Sequence, residues 1–289
     1  MAHFVGVGIA ALDIINTTDG YPPEDSKVRA IRHDVRRGGN TANILGVLSQ
    51  LGHECHWCGV LGDDQSSEII RSDLLKHNIN MDYVKVVESG HSPTSYIILN
   101  KHNGSRTIVH YRDLPEYAFA DFKQYNYSTV DWIHFEGRNI DQTAQCLGYV
   151  ASRYPHTMTS LEVEKPHVGI ESLFASVKIV FYSRQYALSA GFENAMDFLT
   201  QQTWLNNQLI CVCSWGDQGA CVRNAQGQVY CSPAIKYGEV VDSIGAGDTF
   251  NAGFMHAYQI NANIQFALEF ACSIAGKKCS QYGFDGISI

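Results

Sequence analysis

Residues 241–253 form the stretch of the sequence that is best suited to chemistry. They read VDSIGAGDTFNAG, so small residues lead directly into an apolar helix. Backbone amides at the start of a helix lack carbonyl partners and carry the positive end of the helix dipole, which suits a phosphate group. Glycines let a ligand approach the backbone because no side chain intervenes. The pattern predicts an anion hole at Gly245, Ala246 and Gly247, together with the amide of the next residue.

Asp248 lies in the first turn of the same predicted helix. A carboxylate there can take a proton from an alcohol while the neighbouring amides hold a phosphoryl group, and phosphoryl transfer needs mainly positioning, charge neutralisation and a base. A glycine-rich helix start whose aspartate satisfies the dipole would explain these residues equally well. The motif is not a Walker A loop, because no Gly-Lys-Ser/Thr follows. It is not a Rossmann fingerprint either, because it lacks the third glycine.

The order of the predicted elements indicates an α/β fold. Strands are predicted at residues 4–9, 54–61, 131–136, 159–163, 177–182 and 209–214, and helices at residues 40–51, 65–77, 246–260 and 264–277. Such alternation is typical of a mostly parallel sheet covered on both faces. Residues 20–37 and 92–111 break the rhythm, and the second segment reads as a hairpin turning at Asn103-Gly104. We expect these segments to form a small separate sheet that acts as a lid.

Composition restricts the classes of partner. The 289 residues are 45% hydrophobic and carry a net charge of -8, which is typical of a globular chain whose field does not attract nucleic acid or anionic lipid. No apolar run is long enough to span a membrane, and the first residues read as a core strand and not as a signal peptide. A cytoplasmic location is therefore expected. The nine cysteines are expected to be reduced thiols.

Polar side chains stand at several predicted strand and helix ends. Asp13 is interpreted as closing the first strand, where parallel sheets bind ligands, although a loop or cap role is equally compatible. Asn40 and Asn43 are three residues apart at a helix start, so both amides can face one hydroxylated ligand, whereas ordinary capping by Asn40 is the alternative. Glu162 and Glu164 end a strand and are candidates to hold Mg²⁺ through water, or are simply a polar strand end.

Two segments together resemble the signatures of the ribokinase-like (PfkB) sugar kinases. Residues 242–250 resemble the carboxyl-terminal signature, with Ser243 where threonine is usual, and residues 37–43 resemble the amino-terminal one, about 200 residues earlier. Further segments resemble members of the family that phosphorylate ketohexoses: 11–15, 21–26, 103–109, 136–139, 162–166, 275–279 and 283–287. The resemblance covers essentially the whole chain. It implies one three-layer domain, residues 1–289, with a mostly parallel central sheet and β-lid segments at about 14–37 and 91–112.

The resemblance also implies a reaction and a sugar site. The γ-phosphoryl group of ATP would pass to the 1-hydroxyl of a ketohexose, D-fructose above all, to give fructose 1-phosphate, with Asp248 as the base. By the same resemblance, the sugar would be bound by residues of two adjoining segments, Asp13, Gly39, Asn40 and Asn43. Asp25 would enter the site from the partner subunit of a homodimer paired through the lids.

On the nucleotide side, the resemblance implies ATP binding by residues from four segments: Arg106, Trp215, Gly216, Asp217, Gln218, Gly219, Gly245, Ala246, Gly247 and Cys279. Mg²⁺ near Glu164 and activation by K⁺ near Asp242 are also implied. The Asn-x-x-Glu motif of many relatives is missing after the predicted strand at 177–182, where residues 183–186 read SRQY. Two alternatives remain open: a kinase of the same fold acting on ribose, 2-keto-3-deoxygluconate or a nucleoside, and a non-catalytic regulator that binds sugar or nucleotide.

Overall fold

The computed structural model describes residues 1–202 and 209–287. Its strands, in chain order, are β1 (His3–Val7), β2 (Ala11–Thr18), β3 (Arg32–Gly38), β4 (Glu54–Cys58), β5 (Val60–Leu61), β6 (Ile79–Asn80), β7 (Lys85–Val86), β8 (Thr94–Asn100), β9 (Arg106–Tyr111), β10 (Trp132–Glu136), β11 (Met158–Val163), β12 (Ile179–Tyr182), β13 (Ile210–Ser214), β14 (Ala220–Arg223) and β15 (Val229–Ser232).

The helices carry the chain between these strands. They are α1 (Asn40–Gln50), α2 (Gln65–Lys76), α3 (Phe119–Phe122), α4 (Ile140–Arg153), α5 (Arg184–Ser189), α6 (Ala195–Thr200), α7 (Ala246–Asn261) and α8 (Ile264–Cys279), with 3-10 turns at Ile170–Ser176 and Gly216–Gln218. Within the described ranges, none of these helices combines the length and the apolar character needed to cross a bilayer.

The main sheet has nine strands in the order β15-β14-β13-β12-β11-β10-β1-β4-β6. All neighbouring pairs from β13 to β6 are parallel, whereas β14 and β15 are antiparallel. Side chains of one strand alternate between two buried clusters: Phe4 packs with α1, α2, α7 and α8, and Val5 packs with α3 to α6 on the other face. The predicted three-layer α/β sandwich is confirmed.

A second, four-stranded sheet has the order β3-β2-β8-β9, and we call it the small sheet. β2 and β8 pair in parallel, and each carries an antiparallel edge strand. The hairpin predicted around Asn103-Gly104 is present with the expected bounds as β8 and β9. The structure also contains a regular strand, β3, where the sequence showed no clear pattern.

The end of the first strand was predicted wrongly. β1 stops at Val7, and β2 of the small sheet starts at Ala11. The turn between them is fixed because the Gly8 amide donates to the Cys58 carbonyl (3.1 Å) and the Ile9 amide donates to Glu136 Oε1 (3.1 Å). The chain therefore leaves the main sheet about five residues before Asp13.

The expectation that all thiols are reduced is also wrong. Cys221 and Cys231 face each other across the antiparallel pair β14 and β15 and form a disulfide. The other seven cysteines are free, and all but Cys279 are buried. Sequence spacing could not predict this pairing, because it depends on the register of a hairpin.

Candidate active site

A cavity of about 400 Å³ opens at the carboxyl-terminal edge of the parallel strands. Its walls come from the ends of β11, β12 and β13, the start of α7, the start of α1 and one face of the small sheet. In open parallel sheets, this edge is where ligands bind, because helix starts and strand ends converge there. Most of the sugar-site candidates, the proposed base and Arg106 line this one cavity.

Asp248 lies in the first turn of α7 with its carboxylate buried against the cavity. Asn43 Nδ2 donates a hydrogen bond to Asp248 Oδ2 at 2.7 Å. Arg37 Nη1 in turn donates to Asn43 Oδ1 at 2.8 Å, so the Asn43 amide is fixed with its NH₂ group toward the carboxylate. Arg37 itself is ion-paired with Asp73, which leaves it no freedom to turn away. Side chains from α1, β3 and α2 therefore hold the proposed base in place.

The Asp248 carboxyl binds its proton unusually tightly. Burial raises its pKa to about 7, and the negative charges of Glu164 and Glu136 act in the same direction. The Asn43 hydrogen bond and the Arg106 charge oppose this effect. A carboxyl with a pKa near the working pH is well matched to proton transfer, because it is both basic enough and partly ionised.

The loop before α7 has a backbone shape that requires glycine. Gly245 has a φ of 77°, and a Cβ atom there would lie 2.1 Å from Phe284 Cζ. The Ala246 amide donates to the Ser243 carbonyl at 3.3 Å, and only Gly245 and Gly247 of the three predicted anion-hole residues line the cavity. The amides of the first helical turn, which have no carbonyl one turn earlier to bind, point out of the helix start.

The four sugar-site candidates share the cavity with Asp248. Asp13 lies in β2 of the small sheet and not at the end of β1, and burial raises its pKa while a hydrogen bond with Ser95 opposes the rise. Gly39 has a φ of 94°, and a Cβ atom there would lie 2.4 Å from the Ile9 carbonyl oxygen. Asn40 and Asn43 open α1 on the same side. The structure thus brings together all four residues named from the sequence.

A pair of glutamates near the end of β11 has the chemistry of a magnesium site. Glu162 is buried, its Oε1 accepts a hydrogen bond from Asn251 Nδ2 at 3.2 Å, and its Oε2 is buried without a partner among the described residues. Burial and the charge of Asp248 raise the Glu162 pKa well above its usual value. Glu164 lies at the cavity rim, where Asn40 Nδ2 donates to it at 3.4 Å. An unpaired carboxylate oxygen beside a second carboxylate fits Mg²⁺ or one of its waters.

Asp242, expected near a K⁺ ion, is already fully engaged. Arg36 Nη2 lies 2.8 Å and Lys278 Nζ lies 3.0 Å from its Oδ2, and Lys278 also donates to its carbonyl oxygen at 2.9 Å. The backbone amides of Ile244 and Gly283 complete the shell. Burial alone would raise the pKa of Asp242, but Lys278, Arg36 and the Ile244 amide bring it below its usual value. Its Oδ2 atom therefore has no room for a K⁺ ion, and the expected K⁺ near Asp242 stays a prediction.

The nucleotide-side candidates are only partly at the cavity. Arg106, the first residue of β9, lines it. Ser214, at the end of β13, also lines the cavity. The candidates that follow it lie outside the cavity: Trp215, Gly216, Asp217, Gln218 and Gly219. They form a tight turn in which the Trp215 amide donates to the Gly219 carbonyl at 2.7 Å. Cys279 ends α8, also outside the cavity. Asp25 is exposed and does not line the cavity of its own chain.

Two arginines and a histidine at the cavity were missed from the sequence. Arg138 follows the end of β10, and Arg184 follows β12, with its guanidinium carbon 5.7 Å from the centre of the Trp215 ring. His110 on β9 also lines the cavity. A search for basic residues within two positions of each strand end at this edge would have found both arginines. Together with Arg106, they supply positive charge opposite the carboxylates of a site suited to an anionic ligand.

Comparison with known proteins decides the family. The family described as pfkB family carbohydrate kinase matches residues 1–287. The chain belongs to this family. A ketohexokinase of Mus musculus is 36% identical to this pfkB kinase over 289 residues, with 97% of each chain covered. A ribokinase structure from Giardia lamblia matches with a TM-score of 0.87 at 14% identity, covering 99% of this chain and 97% of that one. An Arabidopsis thaliana ribokinase, solved with ribose and ATP, matches with a TM-score of 0.78 at 20% identity, covering 98% and 94%.

These findings confirm the ribokinase-like fold and establish that this pfkB kinase is a sugar kinase. The similarity at 36% identity extends along the whole chain and is not confined to the two signatures. Membership in this family therefore argues against a non-catalytic regulator.

Proposed function

We propose that this kinase transfers the γ-phosphoryl group of ATP to the 1-hydroxyl of a ketohexose, D-fructose, and releases fructose 1-phosphate. The supporting observation is one cavity that contains a buried helix-start carboxylate, Asp248, a second carboxylate on the small sheet, Asp13, and a permanently charged guanidinium, Arg106. The similarity to a ketohexokinase of Mus musculus supports the choice of sugar.

In the proposed reaction, Asp248 accepts the proton of the sugar hydroxyl as the hydroxyl oxygen attacks the γ-phosphorus, and the bond from that phosphorus to the bridging oxygen of ADP breaks. Asn43 keeps the carboxylate aimed into the cavity, since its donor NH₂ is held at 2.7 Å. The amides of Gly247 and Asp248 and the guanidinium of Arg106 stabilise the charge that spreads over the phosphoryl oxygens. Because the helix fixes the two amides, they would need little reorganisation in the transition state.

The sugar is oriented by the four residues that share the cavity with the base. Asp13 can accept two hydrogen bonds from neighbouring hydroxyls, and the amides of Asn40 and Asn43 can both donate and accept. Gly39 lines the same cavity, so its backbone can contact the sugar. Burial makes these contacts selective, because a sugar lacking one hydroxyl would leave a buried polar group without a partner.

We further propose ATP with Mg²⁺ as the second substrate. Mg²⁺ neutralises the charge of the phosphates when it is bound, and Glu162 and Glu164 would hold it through water. Arg184 binds a phosphate oxygen. It lies in the segment where many relatives carry the Asn-x-x-Glu motif. We place the nucleotide along the turn next to Ser214, with Trp215, Gly216, Asp217, Gln218, Gly219 and Cys279. The resemblance supports activation by K⁺. We propose that the Asp242 side chain is not a ligand of this ion.

We also propose that the chain is a single domain whose small sheet acts as a lid and pairs with the lid of a second copy. Large apolar side chains are exposed on this sheet, among them Tyr96, Val109 and Tyr111. Exposed apolar groups concentrated on one element are typical of an interaction surface. The exposed Asp25 would then reach the partner's cavity.

The test is a substrate panel. Purified protein is incubated with ATP, Mg²⁺ and fructose, ribose, 2-keto-3-deoxygluconate or adenosine, and the product is identified by ¹³C and ³¹P NMR. We expect a phosphate at C1 of fructose and the highest kcat/KM for that sugar. Asp248→Asn is expected to lower kcat about 10²-fold or more while fructose binding persists by calorimetry. Asp82→Asn, on the surface, is the matched control. A different preferred sugar, or an unimpaired Asp248→Asn enzyme, would refute the proposal.

A further inference from the structure

We propose that His3, Glu54 and His56 form a binding site for a divalent transition metal, with Zn²⁺ as the best match. The site lies at the amino-terminal edge of the main sheet, opposite the active-site cavity, since His3 begins β1 and Glu54 begins β4. It is the group of side chains with metal-ligand spacing among the described residues.

The register of two neighbouring strands creates this site. β1 and β4 are parallel, and His3 is paired directly with Glu54. Residues two apart in a strand point to the same face, so His56 lies on the same side as Glu54. The three side chains therefore project together from adjacent strands, and their position is set by main-chain hydrogen bonds rather than by a mobile loop.

The distances fit coordination after small side-chain rotations. The two imidazole rings lie 4.5 Å apart between centroids, and His56 Nε2 is 3.1 Å from Glu54 Oε1. The potential ligand atoms of all three residues lie within 4.8 Å of one another. A zinc ion bonded to nitrogen and oxygen at about 2.0–2.2 Å requires ligand atoms separated by roughly 3.3 Å. One pair already meets this requirement.

The His3 imidazole has a nitrogen that lacks a partner. His3 Nε2 is buried without a hydrogen bond in the parts of the chain that the structure describes, and His56, whose Nε2 faces Glu54, is only 8% exposed. Buried polar atoms of this kind normally have a partner. His3 Nδ1 lies 3.4 Å from Thr129 Oγ1, and the His3 amide donates to Asp131 Oδ2. These two contacts orient the imidazole ring and leave its Nε2 for a metal.

The chemical types of the three ligands suit a transition metal. Two imidazoles and one carboxylate are ligands preferred by Zn²⁺ and similar ions, whereas Mg²⁺ prefers oxygen ligands and water. The site is therefore distinct in chemistry from the proposed Mg²⁺ site at the cavity.

A metal bound here would join β1 to β4 without touching the reacting groups. Its expected effect is a higher unfolding temperature, because an ion that binds only the folded chain stabilises it. Three protein ligands leave a fourth position for water. Kinase activity with Mg²⁺ is expected to be the same in metal-loaded and metal-free protein.

The test uses full-length protein without a polyhistidine tag, stripped with chelator. Zn²⁺ is titrated by calorimetry, Co²⁺ by its visible absorption, and the unfolding temperature is measured with and without Zn²⁺. We expect one equivalent bound, a rise in unfolding temperature, and binding weakened about tenfold or more in Glu54→Gln and His56→Gln. His156→Gln, an exposed histidine outside the cluster, is the matched control and is expected to bind as the wild type does.

Glu54→Gln keeps the test decisive even if His56→Gln folds poorly, because the Glu54 side chain is largely exposed. Kinase activity with Mg²⁺ is measured in each variant as a check of folding. Binding of no Zn²⁺, or equal binding in Glu54→Gln and the wild type, would overturn the proposal. Binding lost equally in His156→Gln would do so as well, because it would show adventitious binding to surface histidines.

Discussion

Replacement of the proposed base is expected to make the folded protein more stable while removing its activity. Burial raises the pKa of Asp248 from 3.8 to about 7 in the folded protein. The folded chain therefore holds this proton more tightly than the unfolded chain does, and ionisation of Asp248 opposes folding. Stability is lost as the pH rises from about 4 to about 7, and the loss is complete above that range.

The magnitude follows from the size of the shift. A difference of roughly 3 pKa units corresponds to a cost of up to about 4 kcal/mol at pH 8, and to less than half of that at pH 5. In Asp248→Asn this cost is absent, and the side-chain oxygen can still accept the hydrogen bond from Asn43. At roughly 2 °C per kcal/mol for a chain of this size, the unfolding temperature should rise by about 8 °C at pH 8 and by about 3 °C at pH 5.

The assay is thermal unfolding of wild type and Asp248→Asn at several pH values, combined with turnover measurements. Asp82→Asn is again the matched control and should show no pH-dependent gain. A stability gain in Asp248→Asn that is the same at pH 5 and pH 8 would refute the reasoning, because the gain would then not come from the charge. A loss of stability at pH 8 would refute it too.

Further predictions follow from the same site. The kcat/KM for the sugar should fall about tenfold per pH unit below pH ~7, where Asp248 becomes protonated, and should level off above it, as a pH–rate profile would show. Asn43→Leu removes a hydrogen bond that lowers the pKa of Asp248, so the midpoint of that profile should move to higher pH. An unmoved midpoint would contradict the assigned contact. Asp13→Ala should raise the KM for the sugar far more than that for ATP in steady-state kinetics. Lys278→Met should lower the free energy of unfolding by about 3 kcal/mol in urea titrations, since Asp242 would lose one of its buried cations.

The sequence was most informative where local chemistry decides the structure. The Asn103-Gly104 turn fixed a hairpin with correct bounds, and the helix starts at Asn40 and Ala246 were placed correctly, because turns and caps depend on neighbouring residues. The clustering of Asp13, Asn43 and Asp248 could be anticipated from the resemblance of the segments that carry them. Their common cavity is consistent with that expectation, and their roles stay predictions.

Contacts between distant segments could not be read from the sequence. The ion-pair network of Asp242 joins residues from β3 and α8, which only the complete fold brings together. The membership of Asp13 in β2 was missed because Asp13 was assigned to the end of the strand predicted at residues 4–9, whereas hydrogen bonds of the Gly8 and Ile9 amides to Cys58 and Glu136 fix a turn before it. The partner of Cys221 was likewise hidden in the register of a hairpin.

The parallel pairing of β2 with β8 would couple the proposed sugar contact at Asp13 to the proposed phosphate contact at Arg106. Asp13 lies on β2 and Arg106 on β9, and both strands are hydrogen-bonded to β8 within the small sheet. If a sugar bound to Asp13 drew the small sheet toward the main sheet, Arg106 would move toward the phosphates as well. Any tightening of ATP binding by the sugar would then be matched by an equal tightening of sugar binding by ATP. The small sheet would thus favour a ternary complex over either binary one, and would leave ATP less exposed to attack by water when no sugar is bound.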